Sequence, residues 1–223
     1  NLFVLHPHEK ISNIQRKIMT TRNSKNVFNM AVKGNFDDCQ KIVKQMFSDE
    51  QFREKINMSG VNSINWARII CQIVYYFYAY FQMSTKVNFS VPTGNFGDVY
   101  AGYIAKKMGL TIDKLIVATN ENDILFRVIN SGEYRPSKVK PSLSPSMDIQ
   151  VASNFERLLF DVLNNDDQKV SKSMKNLNEN GFFKLEKDEL KKIRENFSAE
   201  KINDSDTLRI IKDFFINYGF ILD

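Results

Sequence analysis

The sequence predicts an α/β fold in which repeated strand–helix units build parallel sheets covered by helices. Short apolar runs typical of buried strands alternate along the chain with longer segments of helical periodicity. Such alternation builds parallel sheets, whose faces are covered by the connecting helices. The chain has 223 residues, of which 43% are hydrophobic and 26% are charged. This length and balance suit a soluble protein with a sizeable core.

The first part of the chain, residues 1–60, predicts two short strand–helix units and is expected to form part of a smaller lobe. Its strand segments are apolar, and its helical segments follow residues that favour helix starts. In order, the predicted elements are a strand over Leu2–Leu5, a helix capped by Ser12 that ends near Met19, a strand over Val27–Val32 and a helix that begins at Asp37 or Asp38.

The rest of the chain, residues 61–223, is expected to form the large lobe. A helix over Asn65–Phe81 is apolar almost all round, so we expect it to be buried. Strands over Val87–Val91 and Leu115–Thr119 each lead into a helix. Residues 164–206 are charged and helical in pattern, which predicts a peripheral helical decoration.

Composition and charge narrow the classes of function. The net charge is +5, and the lysines are spread among acidic residues, which argues against a nucleic-acid surface but favours small anionic ligands. No apolar run reaches the ~18 residues of a membrane span. Cys39 and Cys71 are expected to be reduced, buried residues of a cytoplasmic protein. His6 and His8 have no clustered ligands, so no metal site is expected.

The strongest functional signal lies between the Val87–Val91 strand and the helix that follows it. Here Gly94-Asn95-Phe96-Gly97-Asp98, the glycine loop, separates strand from helix. A helix N-terminus offers free N–H groups, and glycines let the backbone approach a phosphate closely. Asn95 adds a side-chain donor. The loop lacks the lysine of a Walker loop and the spacing of a dinucleotide fingerprint, and a simple structural turn is the alternative.

The same segment resembles threonine synthase. Ser90–Asp98, with the Ala-Gly-Tyr helix after it, is similar to that family's phosphate loop and the helix behind it. Further similar segments lie elsewhere and cover most of the chain, weakening only between about residues 164 and 217: Gln15–Thr21, Gly34–Cys39, Asn62–Arg68, Ala118–Leu125, Ser144–Gln150 and Ser153–Phe160.

The resemblance implies the tryptophan-synthase-beta-like fold, fold type II of the pyridoxal-phosphate enzymes, with residues 61–223 as its cofactor-binding lobe. It also implies a lyase of threonine biosynthesis that converts O-phosphohomoserine and water to threonine and phosphate with pyridoxal 5′-phosphate. Its expected partner is a small-molecule substrate, with no nucleic acid and no membrane. The expected assembly is a monomer or homodimer in the cytoplasm.

Both ends of the chain fall within predicted strands, Leu2–Val4 at the start and one that begins at Phe220–Leu222, so we expect an internal fragment. In the resembling family, the Schiff-base lysine comes from a part that this chain would lack. No catalytic residue is therefore assigned, and the fragment itself is expected to be inactive.

Such an enzyme must hold two phosphates. The resemblance assigns the cofactor's phosphate to the glycine loop: Gly94, Asn95, Phe96, Gly97 and Asp98. It assigns the substrate's phosphate to Asn62, Ser63 and Arg68, with Asn95 beside them. Asn62 or Ser63 lies where a helix cap would be, and Arg68 lies about one and a half turns further on, with a planar fork that suits phosphate.

Each substrate-site residue has an alternative role. Ser63 is also a good helix cap, and Arg68 could instead pair with a carboxylate in the core. Lys10 matches a loop of the family, but the residues before it, His8 and Glu9, differ from that loop, so Lys10 is expected to be solvated. Further residues of the similar segments are expected to make structural hydrogen bonds: Asp123, Asp148, Asn154, Glu156 and Arg157.

Two other functions stay open. The first is another fold-type-II enzyme, such as a dehydratase or cysteine synthase, which would not need the phosphate-binding Asn62–Arg68 segment. The second is a non-catalytic homologue that binds a phosphate ligand.

Overall fold

The computed structural model of the chain describes residues 1–21, 24–34, 36–83 and 86–222, with the backbone alone at residues 36 and 37. Contacts divide the chain into two units, Asn1–Gly60 and Val61–Asp223. Their assignment to a smaller lobe and a cofactor-binding lobe stays a prediction.

The described residues of the first unit form a two-stranded parallel sheet and three helices. Leu2 pairs with Val27 and Pro7 with Val32. Ser12 caps the first helix as predicted, since its hydroxyl accepts a hydrogen bond from Gln15 N at 3.1 Å. The elements are β1 (Leu2–Pro7), α1 (Asn13–Thr20), β2 (Val27–Val32), α2 (Phe36–Ser48) and α3 (Glu50–Lys55).

The second unit is built on a three-stranded parallel sheet in the order β3-β4-β7, with a short antiparallel pair of β5 and β6. Its first elements are α4 (Trp66–Phe81), β3 (Val87–Pro92), α5 (Gly97–Lys107), β4 (Ile112–Thr119), α6 (Ile124–Ser131) and β5 (Glu133–Tyr134). A 3₁₀ turn (Pro145–Met147) follows, then α7 (Phe155–Val162), α8 (Asp167–Asn180), β6 (Phe183–Lys184), α9 (Lys187–Asn196), β7 (Phe197–Lys201) and α10 (Asp204–Tyr218). The predicted class is therefore observed: parallel strands flanked by helices.

The segment over residues 164–206 is only in part a peripheral helical decoration: α8 has no buried residue, but the expectation was wrong for the part that contains α9 and β7. Its strand β7 pairs in parallel with β4 and completes the main sheet. Phe197 and Ala199 point into the core, and Ile193 of α9 is fully buried. The strand was not predicted from the sequence because its other positions are polar, which is normal for a strand with one buried face.

The apolar composition of α4 predicts a helix that is buried all round, but the structure shows only one buried face. Only Ile69, Ile73 and Tyr76 are buried, and this spacing defines a single face. Tyr78 is 70% exposed, and Cys71, expected to be buried, is also exposed. Apolar composition alone cannot tell which face of a helix packs on the sheet.

The predicted last strand is also absent from the part of the chain that the structure describes. Phe220–Leu222 follow α10 without regular structure, and Asp223 lies outside the described residues. Within the described ranges, none of the helices combines the length and apolar character that a membrane span requires.

Candidate anion-binding site

The glycine loop is attached to the sheet immediately before it begins. Thr93, which follows β3, donates its backbone N–H to Ala118 O at 2.8 Å, and its hydroxyl donates to Val91 O at 2.6 Å. Thr93 is buried. The first bond extends the parallel pairing of β3 and β4 by one residue, and the second holds Thr93 against its own strand, so the loop leaves the sheet in a fixed direction.

Phe96 gives the loop its turn. Its backbone is left-handed, with φ 66° and ψ 6°, which is uncommon for a residue with a side chain. Its ring is fully buried, with centroids 5.5 Å from Phe155 and 5.4 Å from Phe197. This packing offsets the cost of the backbone conformation. Phe96 also precedes α5 without any side-chain cap, so the first N–H groups of α5 lack a capping partner.

The two glycines of the loop are needed for protein contacts as well as for access to an anion. A Cβ at Gly94 would lie 3.0 Å from Ile149 Cδ1 and 3.1 Å from Ser146 O. A Cβ at Gly97 would lie 3.2 Å from Asn154 Nδ2. The sequence left a phosphate site and a structural turn as alternatives for these glycines, and the close protein contacts show that they have a structural role.

The Asn62–Arg68 segment, called here the arginine segment, forms a tight turn before α4. Asn62 Oδ1 accepts from Ile64 N at 3.2 Å, and Asn65 N donates to Asn62 O at 3.1 Å. The helix cap is Asn65, whose Oδ1 accepts from Ala67 N at 2.9 Å. The prediction that Asn62 or Ser63 caps the helix was therefore wrong, because a later asparagine takes that place.

The glycine loop and the arginine segment line one cavity of about 160 Å³. The structure brings together most residues predicted from the sequence: Ser63, Arg68, Gly94, Asn95, Phe96, Gly97 and Asp98. Asn62 is not among the lining residues and shapes the turn instead. Whether the lining binds phosphates stays a prediction at this point.

Sequence reasoning missed four lining residues: Gln72, Pro92, Thr93 and Ser146. Gln72 lies four positions after Arg68 on α4, so helical spacing could have found it. Pro92 and Thr93 are the immediate neighbours of the glycine loop. Ser146 belongs to one of the similar segments, but its place beside Gly94 depends on a long-range approach of the chain.

Three polar groups in the cavity are free to bind a ligand. Neither the Arg68 guanidinium nor the Ser63 hydroxyl has a hydrogen-bond or ion-pair partner within the ranges that the structure describes. Arg68 is exposed, so the alternative of a buried core ion pair is not observed. Asn95 Oδ1 accepts from Ser153 Oγ at 3.1 Å, which leaves the Asn95 amide N–H₂ as a donor.

The surroundings of Asp98 disfavour the charged form of its carboxyl. Burial raises the pKa of the Asp98 carboxyl, and the Tyr76 hydroxyl offsets part of that rise. Asp98 Oδ1 is buried and makes no hydrogen bond to the described residues. Burial therefore disfavours the charged form of Asp98, which is the form that would repel a bound anion. The cavity therefore combines a free cation, neutral donors and uncapped backbone N–H groups.

Other polar residues of the similar segments have structural roles, as expected. Asp148 accepts from Asn120, Asn122 and Ser142, and Asp123 pairs with Arg127 and Lys201, each at 2.8 Å. These contacts confirm the expectation of structural bonds for both aspartates. Glu156 is exposed, as is Lys10, which confirms the expectation of a solvated lysine.

Comparison with known proteins gives a consistent answer. No protein-family model matches the chain. The threonine synthase of Pseudomonas aeruginosa is 45% identical over 226 residues, covering 100% of the chain and 48% of the relative. The threonine synthase of Saccharomyces cerevisiae is 47% identical over 230 residues, covering 96% of the chain and 45% of the relative.

The chain is similar to threonine synthases over its whole length. The crystal structure of the pyridoxal-phosphate-bound threonine synthase from Brucella melitensis superposes with a TM-score of 0.91 at 46% identity, covering 100% of the chain and 49% of that structure. The resemblance and the fold class predicted from the sequence are confirmed. The chain spans about half the length of the curated threonine synthases it matches.

Proposed function

We propose that the whole protein, meaning this chain with any sequence encoded beside it, converts O-phosphohomoserine and water to threonine and phosphate with pyridoxal 5′-phosphate. One observation carries the proposal beyond similarity. An unpaired arginine and an uncapped helix N-terminus line the same cavity. A reaction with one phosphate on the cofactor and another on the substrate needs two such groups.

The glycine loop fits the phosphate of pyridoxal 5′-phosphate. Gly94, Asn95, Phe96, Gly97 and Asp98 would hold it, chiefly through the backbone N–H groups at the start of α5. Burial disfavours the charged form of Asp98, the form that would repel this phosphate. When bound, the cofactor supplies an electron sink for carbanions that form during the reaction. No lysine of this chain is assigned to the cofactor.

The arginine segment fits the phosphate of the substrate. Ser63, Arg68 and Asn95 would contact it, and Asn62 would hold the turn that presents Ser63. Negative charge grows on this phosphate as the carbon–oxygen bond breaks, so a strong cation stabilises the leaving group. Arg68 supplies that charge with two N–H donors in one plane.

We further propose that the protein works in the cytoplasm as a monomer or homodimer on this small-molecule substrate, without nucleic acid or membrane partners. The scattered lysines support the absence of a nucleic-acid partner.

Product analysis tests the function. The purified whole protein, loaded with pyridoxal 5′-phosphate, should release threonine and phosphate in equal amounts from O-phosphohomoserine. Homoserine, serine and O-acetylserine serve as comparison substrates. Turnover of serine or O-acetylserine in place of O-phosphohomoserine would identify another enzyme of the same fold. Binding of cofactor and substrate without turnover would identify a non-catalytic homologue.

A further inference from the structure

Asn154 connects the two segments that line the cavity. Its side chain is fully buried. Asn154 Nδ2 donates to Ser63 O at 2.8 Å and to Asn95 O at 3.2 Å. The backbone N–H of Asn154 also donates to Asn95 O, at 3.1 Å. One amide therefore binds a carbonyl of the arginine segment and a carbonyl of the glycine loop.

Arg157 extends this connection on one side only. Its Nε donates to Asn154 Oδ1 at 3.1 Å, which fixes the orientation of the asparagine amide. Its Nη2 donates to Ile64 O at 2.9 Å, and its guanidinium lies 5.2 Å from the centre of the Trp66 ring. Arg157 thus contacts the arginine segment directly and reaches the glycine loop only through Asn154.

These bonds have an electrostatic consequence. A carbonyl oxygen carries partial negative charge and would repel a phosphate that approached it. Asn154 and Arg157 bind the carbonyls of Ser63, Ile64 and Asn95, which keeps these oxygens engaged with protein donors. The Ser63 hydroxyl and the Asn95 amide N–H₂ then remain as the groups available to an anion.

We infer that Asn154 is a positioning residue that sets the separation of the two phosphate-binding segments, and that Arg157 fixes the arginine segment. This inference rests on the proposed function. Asn154 does not line the cavity, so it acts through Ser63 and Asn95. A purely structural asparagine would add to stability without affecting how the two phosphates bind.

Two binding measurements on the whole protein separate these roles. Pyridoxal 5′-phosphate is titrated by its absorbance, and inorganic phosphate is titrated into the cofactor-loaded protein by calorimetry. Asn154→Ala should weaken the binding of inorganic phosphate by about tenfold, since Ser63 O loses its buried donor. It should weaken cofactor binding by several-fold, since Asn95 O loses one donor but keeps the backbone N–H of residue 154. Arg157→Gln should weaken the binding of inorganic phosphate by several-fold and change the cofactor's dissociation constant by no more than about twofold. The reason is that Arg157 contacts the arginine segment directly and the glycine loop through Asn154.

Asn122→Ala is the matched control. Asn122 is buried, and its amide donates to Lys140 O at 2.8 Å and to Asp148 Oδ1 at 3.0 Å and accepts from Lys140 N at 2.9 Å. None of these three residues lines the cavity. This variant should lower the melting temperature without changing either dissociation constant.

If Asn154→Ala and Asn122→Ala both lose affinity for cofactor and phosphate in proportion to their loss of melting temperature, the inference is overturned. If Asn154→Ala does not fold, Arg157→Gln decides, and unchanged phosphate affinity would then overturn it. A wild-type protein that binds neither ligand would instead overturn the proposed function, and the inference with it.

Discussion

The glycine loop and the arginine segment line the same cavity but are built in opposite ways. The glycine loop is held by buried backbone bonds at Thr93 and by a fully buried ring at Phe96, and it offers backbone N–H groups. The arginine segment is largely exposed, with the side chains of Ser63 and Arg68 unpaired in the described structure.

This difference matches two different tasks. A phosphate that only anchors a cofactor needs fixed, neutral donors, and backbone N–H groups at a helix start provide them without a side chain. A phosphate that leaves during the reaction gains charge, so it needs a full positive charge that meets it in the transition state. Substitutions in one segment should therefore change either the stability of that segment or the binding of its own phosphate.

The largest effect is expected at Phe96, because its burial holds the left-handed turn of the glycine loop. Phe96→Ala should lower the free energy of unfolding by about 3–5 kcal/mol, the usual cost of removing a buried phenyl ring. Urea denaturation of the whole protein measures it. Phe215→Ala, on a ring that is 49% exposed, is the control and should cost far less. Equal losses would show that the loop does not depend on the buried ring.

Arg68→Ala should affect function and not stability. Removing one charged donor to the leaving phosphate should lower kcat/KM for O-phosphohomoserine by at least ~10²-fold. Bound cofactor and its absorbance should be retained. Arg209→Ala, which removes an exposed arginine paired with Asp206 and Asp213 on α10, should leave kcat/KM unchanged. Loss of cofactor with kept phosphate affinity would mean that the two phosphates are assigned the wrong way round.

Gly97→Val should weaken cofactor binding by about tenfold or more, since even a Cβ at this position would lie 3.2 Å from Asn154 Nδ2 and two further methyl groups would crowd the start of α5. Circular dichroism should show that helix content is kept. Gly97→Ala adds only the Cβ and should have a smaller effect. Unchanged cofactor affinity in the valine variant would show that Gly97 is a turn residue without a role in binding.

The smallest expected effect concerns Asp98. Burial raises the pKa of the Asp98 carboxyl above its ordinary value of 3.8. At pH values between 3.8 and the raised pKa, the folded chain therefore binds more protons than the unfolded chain. Stability is therefore lost as pH rises through that window. Asp98→Asn should raise the melting temperature by at most a few degrees at neutral pH, and the gain should shrink toward pH 4. A gain in melting temperature that is the same at every pH would contradict a raised pKa at Asp98.

The sequence predicted the glycine loop and its flanking elements well, because their signals are local. An apolar strand, two glycines and a helix follow one another directly. The start of α4 was misplaced because Asn62, Ser63 and Asn65 are all good caps, and only the folded turn decides among them.

Long-range contacts could not be predicted in this way. Strand β7 joins the sheet through pairing with β4, whose residues lie far away in the sequence, and its polar positions concealed it. Asn154 makes a bond to Ser63 across a sequence separation of 91 residues. No local pattern marks such a residue, so its part in connecting the two segments became visible only in the structure.

The central claim is that one cavity binds two phosphates at separate sites, and phosphorus NMR of the whole protein tests it most directly. With pyridoxal 5′-phosphate bound, titration with inorganic phosphate should give a second bound resonance while the cofactor resonance persists. In the Arg68→Ala variant only the second resonance should be lost. Displacement of the cofactor by inorganic phosphate, or loss of the cofactor resonance in that variant, would contradict the claim.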